Sequence, residues 1–195
     1  MRALIRLVLL GIAITPCPLH SALAVAQDVP VAEVGADYNY VHTNAPPGGC
    51  GCFSMNGGDG WFAYNFNSSV SAVALLSGQH ASNIAGSGAD LTLTSYLFGP
   101  RYSWRKSGRY MPFGQLLFGG AHAGGSFAPG SAGYPGSSNA FAMTAGAGLD
   151  VRLTERFAVR VFQADYYHTH FANGVNEHQN NLRISVGLIL RLGKR

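Results

Sequence analysis

Residues 182–192 read LRISVGLILRL, and this stretch decides the fold. Taken in steps of two, the face from Leu182 to Leu192 holds only leucine, isoleucine and valine. The opposite face holds Arg183 and Arg191 with serine, glycine and one isoleucine between them. A period of two is the side-chain period of a β-strand. The stretch therefore predicts a strand with an apolar environment on one side and a polar one on the other.

The same alternation recurs through the rest of the chain. It is clear over 34–40 and 61–66, and over 141–153 it sets Phe, Met, Leu and Val against Thr, Gly, Asp and Arg. Less regular candidate strands lie at 70–82, 91–102, 111–121 and 157–169. Together these segments predict an all-β fold of eight antiparallel strands.

Several positions predict irregularities in these strands. Pro100 and Pro112 indicate bulges or strand starts, because proline cannot donate a hydrogen bond to the ladder. Arg160 and Asp165 have opposite parity, so both can face the same side only if a bulge lies between them.

The N-terminus has the pattern of an exported protein. Arginines flank the beginning of an apolar run over 7–14, and small-x-small cleavage sites follow within 22–26. We therefore expect a signal peptide over residues 1–26 and one barrel domain over 27–195. The signal peptide contains two of the 13 Lys and Arg and none of the 9 Asp and Glu. Its removal leaves 11 basic and 9 acidic residues, a net charge of +2.

The composition excludes several classes of protein. Only 11% of the residues are charged, against about 25% in a typical soluble domain, and 26 are glycine. No nucleic-acid-binding motif is present, so we expect no nucleic acid partner. The longest later aliphatic run, 72–76, is far shorter than the roughly 20 residues of a transmembrane helix. Export without a helical anchor leaves a soluble exported protein or an outer-membrane barrel.

The connections between the predicted strands alternate in length. Long ones lie near 44–57, 83–90, 122–139 and 170–180, and short ones near 67–69, 104–109 and 154–156. Short periplasmic turns and long outer loops are typical of bacterial outer-membrane barrels. The sequence therefore predicts an eight-stranded antiparallel up-and-down transmembrane β-barrel in the cell outer membrane.

The charges in the predicted strands are restricted to aspartate and arginine. Those predicted to face the interior are Asp37, Arg101, Asp150, Arg152, Arg160, Asp165, Arg183 and Arg191. An Arg or Lys facing the lipid midplane costs about 2–4 kcal/mol, which explains their segregation to one face. A soluble lipocalin-like ligand binder is the alternative, but its outer face should be rich in Lys and Glu, and this sequence lacks such a face.

Aromatic residues cluster at both ends of the predicted strands. Near the short turns lie Tyr102, Trp104, Tyr110, Phe113 and Phe157, and near the long loops lie Tyr40, Trp61, Phe62, Phe141, Tyr166 and Tyr167. Such clusters predict the two aromatic girdles of a membrane protein.

Several short motifs carry a family resemblance. They are LFGPRY at 97–102, PF at 112–113, GGA at 119–121, GAGLDV at 146–151, QADYY at 163–167 and NNLR at 180–183. In order and spacing they resemble the small bacterial outer-membrane β-barrel proteins, and the implied fold is similar to the transmembrane domain of outer membrane protein A. The resemblance implies outer-membrane lipid and the barrel assembly machinery as partners. It departs from the family at Leu192, where an aromatic residue is expected.

An eight-stranded barrel is too narrow for a general diffusion pore. We expect the interior charges to satisfy one another and plug the barrel, which points to a structural or surface-interaction role without enzymatic activity. A narrow low-conductance channel is the first alternative. A lipid A-modifying enzyme is the second, since His80 and Ser82, with Asp90 further on, resemble the His-x-Ser pair and nearby acidic residue of outer-membrane lipid A deacylases, in which the histidine would act as the base.

The first long loop contains Cys50 and Cys52, for which we predict a disulfide because exported proteins meet an oxidising compartment. Thiols and the nearby His168, His170 and His178 are also ligands for a soft metal such as zinc or copper. We nevertheless predict no metal and no cofactor. The sequence identifies no partner for the outer loops.

Overall fold

The computed structural model describes residues 29–44, 52–106, 108–126, 128, 136–172 and 178–194. It confirms the predicted fold, a closed barrel in which each strand pairs antiparallel with the next and β8 pairs with β1. The strands are β1 Ala32–Asn44, β2 Cys52–Asn65, β3 Val70–Ala81, β4 Leu91–Ser103, β5 Tyr110–Gly125, β6 Gly136–Arg152, β7 Phe157–Thr169 and β8 Gln179–Leu192, with a 3-10 turn at Ile84–Gly86. In the described part of the chain, no helix has the length and apolarity to cross a membrane.

The two faces of the barrel wall have opposite polarity. In β8, Leu188 on the outer face is 68% exposed, whereas Arg183 on the inner face is completely buried. A one-residue slip of register would exchange these faces and turn the arginine toward lipid, so the pattern strongly specifies the register. This inverted arrangement excludes the soluble lipocalin-like alternative, because a soluble barrel places its apolar face inside.

The predicted bulge between Arg160 and Asp165 is confirmed. The pairing of β7 with β8 changes register between Arg160 and Gln163. Val161 and Phe162 both face outward, each about half exposed. The bulge therefore lets Arg160 and Asp165 share the interior.

The two prolines behave differently. Pro112 is near the start of β5 and pairs with Leu149, as expected of a strand start. The prediction for Pro100 was wrong. Gly99 and Pro100 are not paired with β5, and the register of β4 with β5 is the same on both sides of this gap. Proline removes one hydrogen bond without adding a residue, so no bulge forms.

The first long connection is shorter than predicted, because β2 begins at Cys52 and continues through the glycines that suggested a loop. Gly57 faces the interior, where a Cβ atom would overlap the backbone of Gly78 on β3. Close strand approach thus explains this glycine better than a turn does.

Part of the predicted aromatic girdles was wrong. Trp61, Phe113 and Tyr167 point into the barrel and are buried. Phe62 faces outward but lies near the short turn after β2, since that strand starts earlier than predicted. The remaining predicted girdle residues are exposed at the expected ends, which are Tyr102, Trp104, Tyr110 and Phe157 at the short turns and Tyr40, Phe141 and Tyr166 toward the long loops.

Candidate functional site

The middle of the barrel contains a group of interior side chains that we call the central layer: Asp37, Trp61, Arg101, Phe113, Asp150 and Arg160. The bulge in β7 places Arg160 at its centre. The Arg160 guanidinium donates to both carboxylate oxygens of Asp150, from Nε at 2.9 Å and from NH2 at 3.1 Å. Its NH1 donates to Asp37 at 2.9 Å. One cation thereby joins β7 to β6 and β1.

Two aromatic rings pack against the guanidinium groups of this layer. Arg101 lies 4.4 Å from the centroid of the Trp61 ring and 4.7 Å from that of Phe113. Arg160 lies 4.5 Å from each of the same two centroids. Cation–π contacts of this kind strengthen in a desolvated site. The rings therefore stabilise two arginines held close together.

Hydrogen bonds fix the remaining groups of the central layer. The Trp61 indole N–H donates to Asp37 at 2.8 Å, and Gly35 leaves room for that ring, since a Cβ atom there would overlap the indole. Arg101 donates from Nε and NH2 to the Gln115 amide oxygen, at 3.0 and 2.8 Å. Arg101 is thus compensated by an amide and two rings rather than by a directly paired carboxylate of the described residues.

A second group, which we call the upper cluster, lies nearer the long loops: Asn39, Asp59, Asp165, Tyr167, Arg183 and Ser185. Arg183 donates to one Asp165 oxygen from Nε and NH2, at 3.0 and 2.7 Å. Its NH1 lies 3.9 Å from Asp59, which also accepts a hydrogen bond from Asn39 at 2.6 Å. The guanidinium also lies 5.5 Å from the centroid of the Tyr167 ring.

Gln163 connects the two groups. Its amide oxygen accepts a hydrogen bond from Arg160 at 2.7 Å, and its amide nitrogen donates to Asp165 at 2.6 Å. The central layer and the upper cluster therefore form one hydrogen-bonded network.

The ends of the interior differ in chemistry. At the short-turn end, Glu33 contacts Arg105 at 2.9 Å and Arg191 at 3.7 Å. The long-loop end is mainly apolar, and its buried side chains include Val41, Met55, Ile84, Leu91, Leu93 and Phe171, with the polar Thr43 and Gln79 among them. A polar network is thus bounded by an apolar mouth on the side of the long loops.

Most of the predicted interior charges fall into these groups. Asp37, Asp150 and Arg160 meet in the central layer with Arg101 beside them, and Asp165 meets Arg183 in the upper cluster. Two residues lie apart from these groups. Arg191 belongs to the short-turn end, and Arg152 is only partly buried, with no ion-pair partner in the part of the chain that the structure covers.

Sequence reasoning missed three charged residues of the interior. Glu33, Asp59 and Arg105 are buried there and bring the buried ionised side chains to five carboxylates and five arginines. The signal available in the sequence was the alternation of side chains along a strand. Each missed residue lies an even number of positions from an interior residue: Glu33 from Asp37, Asp59 from Trp61 and Arg105 from Arg101. Glu33 and Asp59 escaped notice because β1 and β2 begin earlier than the alternation alone indicates, and Arg105 because it lies in the connection after β4.

The residues considered for acyl hydrolysis have other partners. His80 faces outward, and its Nδ1 is 3.0 Å from the Thr92 hydroxyl. Asp90 accepts a hydrogen bond from the Asn83 backbone N–H at 3.1 Å. Ser82 follows the end of β3 and is exposed.

The predicted disulfide between Cys50 and Cys52 falls outside the described side chains. His168, His170 and His178 do lie together, and their ring centroids are 5.5 Å apart for His168 and His178 and 4.6 Å apart for His170 and His178. Among the described residues, no group of three or more His, Cys, Asp and Glu side chains has the arrangement of a metal site.

Comparison with known proteins gives both a family and structural neighbours. Residues 9–189 match the family model described as outer membrane protein beta-barrel domain. Neisserial surface protein A is 12% identical with a TM-score of 0.63, over 83% of this chain and 97% of that one. Ail, the attachment invasion locus protein of Yersinia pestis, is 17% identical with a TM-score of 0.55, over 83% and 99%. No curated protein matches in sequence.

Proposed function

Because this chain belongs to the family of outer membrane protein β-barrel domains, and so resides in the cell outer membrane, we propose that it serves a structural or surface-interaction role with its interior plugged by its own side chains. The observation that carries the proposal is the balanced set of five buried carboxylates and five buried arginines. An interior built for ion passage needs a hydrated path with mobile counter-charges. Here four of the five buried arginines contact carboxylates, and Arg101 is held by Gln115 and two rings.

The width of the barrel supports a plug. An interior enclosed by eight strands is just wide enough for side chains to fill. The central layer draws its members from β1, β2, β4, β5, β6 and β7, so it reaches across the barrel from nearly every side. Arg101 and Arg160, the two cations of this layer, are 2% and 1% exposed.

The energetics of buried charge support the same conclusion. Removing one partner from a buried ion pair costs about 3–5 kcal/mol, because the other charge stays behind without compensation. An ion that passed the central layer would have to separate Arg160 from Asp37 or Asp150. The mainly apolar mouth adds a second barrier at the outer end, because its aliphatic side chains do not replace the hydration of an ion.

Single-channel recording in a planar bilayer tests the plug against the narrow-channel alternative. We expect no stepwise conductance from the wild-type barrel at neutral pH. The R101A/F113A variant removes two side chains of the central layer but keeps the Arg160 ion pairs, and it is expected to open measurable steps. L116A/F118A is the matched control, since it removes two outward side chains of β5 and should leave the baseline flat.

Either of two results would contradict the plug. Steps from the wild-type protein would favour the channel, and a silent R101A/F113A variant would show that the central layer is not the barrier. Folding of every variant is verified by the different electrophoretic mobility of boiled and unboiled samples.

We also propose that the barrel is not an enzyme, since His80 and Asp90 are each bonded to groups other than the Ser82 hydroxyl. Purified barrel incubated with lipopolysaccharide is expected to release no more fatty acid than Ser82→Ala does. Acyl release that disappears in Ser82→Ala would overturn this and restore the lipid A-modifying alternative. The released fatty acids are measured by mass spectrometry.

A further inference from the structure

The histidines of the barrel domain lie at one end. Of the 7 histidines in the chain, all but His20 occur at or beside the long-loop ends of strands. His42, His80, His122 and His168 belong to β1, β3, β5 and β7 and face outward. We call these four the histidine belt, and His170 and His178 lie next to it.

Each histidine of the belt is held in the same way. Its Nδ1 is hydrogen-bonded to a polar side chain on the following strand. The pairs are His42 with Ser54 at 3.3 Å, His80 with Thr92 at 3.0 Å, His122 with Asn139 at 2.9 Å and His168 with Asn180 at 2.9 Å. Within the described part of the chain, none of these four bonds uses Nε2. Every partner oxygen can accept a hydrogen bond, so each pair survives protonation of the ring.

The strand register joins these pairs into a nearly continuous polar band. His80 pairs with Asn56 on one side and Thr92 on the other, and His122 pairs with Thr94 and Asn139. Tyr40 and Tyr166 lie directly below the band, on the apolar side. The belt is therefore at the level where the apolar band ends and lipid headgroups begin.

The charge distribution makes these histidines unusual. The described Lys and Arg of the barrel domain lie inside it or at its short-turn end, and the sequence of the outer connections contains none. Their carboxylates are Asp90, which accepts from the Asn83 N–H, and Glu177, which is outside the described residues. The other titratable side chains facing the belt are the tyrosines Tyr38, Tyr40, Tyr96 and Tyr166, while β2, β6 and β8 present serine and asparagine there. In the sequence of this end, histidine is therefore the side-chain type that can become a cation.

We propose that the histidine belt is an acid-activated binding site for the phosphate groups of anionic lipids in the surrounding outer leaflet. With the rings neutral, the outer end carries two carboxylates and no cation, so it does not attract phosphate. A ring protonated on acidification can donate from Nε2 to a phosphate oxygen while Nδ1 keeps its partner. Bonds from a cation to an anionic oxygen are about twice as strong as neutral ones. The inference does not depend on the plug.

Electron paramagnetic resonance of spin-labelled lipids tests this proposal on the full barrel in phosphatidylcholine bilayers. The measured quantity is the association of spin-labelled phosphatidylglycerol relative to spin-labelled phosphatidylcholine. Phosphatidylglycerol keeps one negative charge between about pH 5 and about pH 8, so a change of the ratio with pH reports on the protein and not on the lipid. We expect the ratio to rise about two- to fivefold between about pH 8 and about pH 5.

Three variants identify the groups responsible. Replacing the four belt histidines together with His170 and His178 by asparagine should make the ratio independent of pH. Replacing the same six by lysine should keep the ratio high at both pH values. Y38F/Y96F is the matched control, since it removes titratable hydroxyls from the same face and should keep the wild-type response.

Several outcomes would overturn the proposal. They are a ratio for the wild-type barrel that does not change with pH, a response that persists in the asparagine variant, and a response that is lost in Y38F/Y96F. Inorganic phosphate supplies a further arm, compared with chloride at equal ionic strength. Loss of the response in phosphate but not in chloride would support recognition of the phosphate group, and equal loss in both salts would overturn it, because charge screening alone would then explain the association.

Discussion

Replacement of Arg160 by alanine is expected to lower the free energy of unfolding by about 3–5 kcal/mol. The guanidinium is 1% exposed and is bonded to Asp37, Asp150 and Gln163. Its removal leaves two carboxylates buried without their main cation and takes a cation–π partner from Trp61. Equilibrium unfolding in urea, followed by tryptophan fluorescence in lipid vesicles, measures the loss.

Arg156→Ala is the matched control for this experiment. It is the same substitution four residues away, on an exposed side chain in the short turn before β7, and it should change stability by less than about 0.5 kcal/mol. Equal effects of the two substitutions would contradict the assignment of Arg160 to a buried network.

A second comparison separates the charge from the packing. Arg160→Met combined with D37N/D150N removes the cation and both carboxylates at once. Since neutral groups of similar size can replace a buried ionic cluster at little cost, this triple variant should be more stable than Arg160→Ala. A triple variant that is less stable than Arg160→Ala would contradict the explanation that the unpaired carboxylates cause the loss.

The second large effect is expected on the outer surface. Val186 faces outward near the middle of β8, between the level of Tyr166, which is beside Leu182, and that of Phe157, which is beside Leu190. Val186→Arg should lower the free energy of unfolding by about 2–4 kcal/mol, because it places a charge at the lipid midplane. The same urea titration in vesicles measures it.

Leu192→Arg is the control at the membrane edge. Leu192 is the last residue of the same strand and lies on the same face, where the cost should fall to about 0–1 kcal/mol. Similar losses at the two positions would contradict the outward orientation of this face or its depth in the membrane.

Much of the fold could be predicted from local pattern. The alternation in residues 182–192 is confirmed along β8, and the opposite parity of Arg160 and Asp165 predicted the bulge that β7 contains. Both inferences depend only on the period of two in an extended chain, together with the cost of facing a charge toward lipid. The strand ends were predicted less well, because glycines such as Gly57 resemble loop residues in the sequence. Only the structure shows that Gly57 is required by the close approach of the neighbouring strand.

The candidate site depended on contacts between distant parts of the chain. Nothing near Asp37 in sequence identifies Arg160 as its partner, and the rings of Trp61 and Phe113 were assigned to the membrane surface although they stack on buried arginines. The histidines, too, form a belt only when alternate strands are set side by side in register. Sequence by itself determined which face meets lipid in the regularly alternating strands such as β8, since that choice depends on the local alternation of side chains. Tertiary structure alone decided which charges and rings meet, since closure of the barrel sets the relative heights of the strands.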